Sequence, residues 1–194
     1  MIRYTFITIL LLLAAFVAQQ FMPSFAELYQ SRILLVQLVF LCTAVTLEQP
    51  AMLILAFIGG LFWDAHCALG PHGGSPEVYT QQVESLHFGY SILLFGAMGL
   101  LMQGIQPLFR QGKWQISALL SGVVIFLYLT VEYLIITFVR GDFTLTKATL
   151  LQMGFTSILT LLFSPLVFGL LFWIAKACGH PIYPQAGRNR RRIH

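Results

Sequence analysis

Ala51-Met-Leu-Ile-Leu-Ala56-Phe-Ile-Gly59-Gly60-Leu-Phe-Trp-Asp64-Ala-His66-Cys67-Ala-Leu-Gly70 is a long apolar run with one carboxylate inside it, closed by Pro71. As a single helix it places Asp64 roughly 20 Å from the Ala51 end, at 1.5 Å per residue. A bilayer core is about 30 Å thick, so the carboxylate lies past the midplane and still below the far surface. Burying such a charge costs about 2.5–3.5 kcal/mol on insertion scales, which directs it toward protein or a wet cavity. Ala56, Gly60 and Asp64 are spaced by four and share one helix face, beside Gly59. Small residues there let a second helix approach closely, with a polar group at the end of the contact.

The surrounding chain has the same character. Of its 194 residues, 58% are hydrophobic and 9% charged, whereas a soluble domain is about one-quarter charged. It cannot cover itself with polar surface in water, which predicts an integral membrane protein. The net charge of +4 is small and gathered at one end, which argues against nucleic-acid binding. Cys42, Cys67 and Cys178 sit in or beside different apolar runs with no CxxC spacing. They read as free thiols that pack as small hydrophobes.

Hydropathy predicts an all-α chain of about six transmembrane helices. A single polytopic domain, residues 1–175, carries spans at 4–21, 33–47, 51–69, 86–106, 114–139 and 148–174, and a basic tail follows at 176–194. The first span reads as uncleaved, since five more hydrophobic segments follow it. Its Ala14-xxx-Ala18 spacing offers a small-residue face for docking. The second span is short for a full crossing. Glu48-Gln49-Pro50 forces it into a tight hairpin with the third, because Pro50 suits a helix's first turn. Residues 71–85 are rich in turn formers and read as a loop outside the membrane. Gly89, Gly96, Gly99 and Gly104 are expected to leave room for neighbouring backbones, Pro107–Lys113 to form a short basic turn, and Pro165 to kink the sixth span. Eight of the eleven Lys and Arg residues fall on the side of the termini. That bias predicts cytoplasmic termini in a multi-pass protein.

Glu132 is the second carboxylate within a span, a candidate buried polar group bonded between helices; a proton relay with Asp64 is the competing reading. Asp64, His66, Cys67 and His72 lack the paired spacing of a metal site, so no metal or other cofactor is expected. No nucleophile elbow, HExxH, P-loop or GxGxxG occurs, so no catalytic residue is expected.

From Phe21-Met22-Pro23 through Arg32, the Glu48-Gln49-Pro50 turn and Gly59-Gly60-Leu61-Phe62-Trp63-Asp64, the pattern resembles the MreD family of bacterial rod shape-determining membrane proteins. Asp64-Ala65-His66-Cys67-Ala68-Leu69-Gly70 keeps that family's Asp and Leu-Gly and lacks its internal Ser-Gly. The resemblance implies a non-enzymatic scaffold of the cell-elongation (lateral peptidoglycan synthesis) machinery in the bacterial inner membrane. Its implied partners are an MreC-like membrane protein and, through it, an MreB-type cytoskeleton and peptidoglycan synthases. By position, Asp64 and the Ala56, Gly59 and Gly60 face are then the candidate partner or helix-packing surface. The family is also similar to the substrate-binding subunits of energy-coupling vitamin transporters, and this supplies the alternative function. In such a subunit a pocket gathers aromatic and polar side chains near the outer ends of the spans.

Overall fold

The computed structural model describes residues 2–23, 25, 28–29, 31–68, 89–112, 114–140 and 146–179. Every regular element among them is a helix: α1 Ile2–Gln20, α2 Leu35–Thr46, α3 Gln49–Ala68, α4 Tyr90–Arg110, α5 Trp114–Arg140 and α6 Lys147–Ala177. Four of these (α1, α4, α5 and α6) are long and apolar enough to cross a membrane, and the chain is a membrane protein. The other two differ. α2 has 12 residues, about 18 Å at 1.5 Å per residue, and the apolar run of α3 is interrupted by Asp64 and His66. The loop at 71–85 and the basic tail beyond Gly179 lie outside the described residues.

Successive helices run in opposite directions. At one end of the bundle, the near end, the Tyr4 hydroxyl at the start of α1 donates to Thr46 Oγ1 at the end of α2 (2.9 Å). At the far end, the Gln19 amide at the close of α1 reaches the entry of α2. Ser121 on α5 meets Ser164 on α6 at 3.3 Å, and Ser157 donates to the Gly122 carbonyl at 2.6 Å. The start of α1 and the end of α6 therefore lie together.

Helix α2 is the axis. Every residue from Val36 to Leu47 is buried, and α2 touches each of the other five helices. A helix that is apolar all round belongs in such a position. Around it pack Phe40 and Phe95, with ring centroids 4.9 Å apart, and Tyr128 edge-on to Phe95.

A short buried helix at the centre leaves its terminal amides and carbonyls among other helices, where each needs a partner. Other helices supply the partners. Gln19 of α1 grips the entry twice: its Nε2 donates to the Ile33 carbonyl (2.7 Å) and its Oε1 accepts from the Leu35 amide (2.6 Å). On α6, Thr160 Oγ1 accepts from the Leu34 amide (3.2 Å) and Thr156 Oγ1 from the Arg32 amide (3.4 Å). At the exit, two glutamines one turn apart on α4 close the helix. Gln103 donates to the carbonyls of Ala44 and Leu47, and Gln106 to those of Val45 and Leu47, all at 2.8–3.1 Å.

Two expectations change, the helical path through Pro107 and the packing at Gly96 and Gly104. α4 begins at Tyr90 behind Gly89 at φ +103°, and residues 86–88 of the expected span lie outside the described residues. The helix runs through Pro107 to Arg110, since one proline near a helix end removes only one backbone bond. The inward face of α1 is Tyr4, Thr8, Leu12 and Ala15, and Ala14 of the small-residue face is exposed. Gly96 and Gly104 face open space, and only Gly99 is tightly covered, by Met52 and Phe40. α6 is unbroken from Lys147 to Ala177, with Pro165 on its exposed side.

These contacts predict opposite outcomes for two Gln→Leu changes. Gln103→Leu strands buried carbonyls and is expected to lower stability by about 1–3 kcal/mol. Gln37 is fully buried, and its amide finds no hydrogen-bond partner among the described residues. Gln37→Leu removes that cost and is expected to be neutral or stabilising. Thermal unfolding of both variants in one detergent checks the ranking.

Candidate functional site

The face predicted around Asp64 is turned toward α4, and α3 and α4 form the most extensive helix pair in the chain. Asp64 is 4% exposed. Its Oδ2 accepts the backbone amide of Gly89 at 2.6 Å, the residue that caps the start of α4. A carboxylate there meets both an orphan amide and the positive end of the helix dipole. One turn back, a Cβ on Gly60 would stand 2.4 Å from Ile92 Cα and 2.6 Å from its nitrogen. The α4 backbone thus lies directly on Gly60, and only a residue without a side chain fits. Gly59 faces the Phe95 ring and Leu12, and Ala56 is buried one turn further along. Together these residues clamp α4 at the far end of the bundle.

Glu132 stands on the neighbouring α5, near enough to Asp64 for the two carboxylates to repel one another. It is half-buried on α5 and makes no hydrogen bond to a described residue, so the expected bond between helices is not there. Instead it lines a cleft of about 250 Å³ between α5, α6 and the extended segment that enters α2. Tyr133, Gln152 and Thr156 share the wall with it, and so does Arg32. The Arg32 side chain is exposed and forms no ion pair or hydrogen bond with a described residue. Among the spans themselves no basic residue offered Glu132 a partner. The cation comes from the connection ahead of α2, which the fold folds back against α5 and α6.

Asp64 and Glu132 are not hydrogen-bonded to one another, and Asp64 is held by Gly89. Among the described residues no three His, Cys, Asp or Glu side chains gather as metal ligands. His66 is exposed and stands 6.3 Å from the Trp63 ring. Comparison with protein families, with curated proteins and with solved structures returns no match.

The clamp predicts a graded series. Gly60→Ala forces a side chain into backbone that cannot rotate away, and is expected to cost about 1–3 kcal/mol or more. Gly96→Ala, on the open side of α4, is expected to be neutral. Asp64→Ala leaves the Gly89 amide unpaired and is expected to lose about 1.5–3 kcal/mol, while Asp64→Asn keeps an acceptor and loses less. Melting temperatures at matched detergent and lipid content give the order.

Proposed function

We propose that this chain is a non-enzymatic scaffold of the bacterial cell-elongation machinery, of the rod shape-determining MreD type. The observation that carries this reading is the state of Asp64. The carboxylate that a transporter would move a proton through is instead buried and fixed on the first amide of α4. Such a residue sets the shape of a helix pair, which is what a docking partner reads. Six crossings with cytoplasmic termini complete the proposal, supported by the alternating helix order and by the charge bias. On this reading an MreC-like membrane protein binds the clamped α3–α4 pair, and the cytoskeleton and peptidoglycan synthases follow through it.

The second reading is a substrate-binding subunit of an energy-coupling vitamin transporter. One observation favours it: the cleft beside Glu132 and Arg32 gathers several polar side chains and one aromatic residue at the far end of the bundle.

Partner pull-down and cell shape separate the two. With matched membrane levels, Gly60→Leu is expected to lose the partner and round the cells, and Asp64→Asn to leave rods. Rounded cells from Asp64→Asn with normal rods from Gly60→Leu would overturn the scaffold reading, as would vitamin uptake that depends on this chain. Reporter fusions after Glu77 and at the C-terminus are expected to lie on opposite sides of the membrane.

A further inference from the structure

Two opposite charges line one cleft without pairing to a described residue. Glu132 is eight residues from the end of α5, roughly 12 Å along the axis. α5 has 27 residues, about 40 Å, and overhangs a hydrocarbon core of about 30 Å by some 5 Å at each end. Glu132 thus lies roughly 7 Å inside the apolar layer, where an uncompensated charge is expensive. Arg32, whose guanidinium is a planar fork suited to a phosphate, lines the same cleft. Leu34, Leu129, Ile136 and Met153 make part of the wall apolar, beside the polar groups of Tyr133, Thr149, Gln152 and Thr156. A ligand that satisfies both charges and the apolar part needs an anion, a cation and an aliphatic part in one molecule.

We propose that this cleft binds the headgroup of a zwitterionic phospholipid of the phosphoethanolamine class. The phosphate sits on Arg32, the ammonium on Glu132, and the first acyl methylenes lie along Leu129, Ile136 and Met153. A lipid reaches the cleft laterally from the bilayer, so no aqueous entrance is needed. The same headgroup chemistry is present in water-soluble glycerophosphoethanolamine, which lacks the acyl chains. This proposal is independent of the scaffold reading, because lipid retention is measured on the purified protein and cell shape in the cell.

The test uses the full chain in detergent micelles, titrated with phosphatidylethanolamine, phosphatidylglycerol or glycerophosphoethanolamine and read by native mass spectrometry. The wild type is expected to retain phosphatidylethanolamine over phosphatidylglycerol by about ten-fold, the scale of one charge contact. Glu132→Gln is expected to abolish that preference while keeping phosphate binding, and Arg32→Gln to weaken both lipids. Binding of glycerophosphoethanolamine as tightly as the lipid would overturn the acyl-chain part and assign a free polar ligand. Equal retention of the two lipids by the wild type overturns the proposal without any variant. Unchanged retention in both variants, which is expected if Arg32 and Glu132 simply pair with each other, also overturns it.

Discussion

A backbone amide or carbonyl with no partner costs several kcal/mol inside a bilayer, and the architecture of this chain turns on that cost. Its central helix is about 18 Å long, shorter than a hydrocarbon core of about 30 Å, and is buried among its neighbours. Three of the four long helices solve the problem with side chains. Gln19 on α1 and the threonines on α6 take the entry, and Gln103 and Gln106 on α4 take the exit. Each cap joins α2 to a different neighbour. The same hydrogen bonds that satisfy a stranded backbone also fix which helices stand where.

The clamp at Gly60 and Asp64 depends on that frame. α4 is held to α2 at one end by its glutamines and to α3 at the other by Asp64. Between these fixed points Gly60 lets the α4 backbone touch α3, and Gly99 takes Met52 and Phe40. A rod fixed at both ends presents a defined outer surface. That property is what the proposed scaffold role would require.

Local chemistry made much of this legible. Apolar runs located the six helices; the start of α5 at Trp114 coincides with the predicted one, and the entry into α3 falls at Gln49, one residue before Pro50. The shortness of the second segment was visible, and the spacing of Ala56, Gly60 and Asp64 put them on the face that meets α4. What stayed hidden was long-range. Gln19 and the Gln103-x-x-Gln106 pair stand out only as amides in apolar helices, and nothing nearby tells which carbonyl they reach, 14 to 61 residues away. Arg32 looked like a loop charge and became a cleft wall through the packing of α5 and α6. The Ala14-xxx-Ala18 spacing did not tell which face of α1 is inward, and Ala14 is exposed.

Amide hydrogen exchange in lipid nanodiscs tests the central claim, that a short buried helix with ends capped by its neighbours holds the bundle together. Exchange tracks local opening, and the last elements to open are those on which the fold depends. The amides from Val36 to Leu47 are expected to exchange most slowly in the chain, with Leu34 and Leu35 protected although they lie at a helix end. Exchange of the α2 amides as fast as those at the ends of α1 would contradict the account.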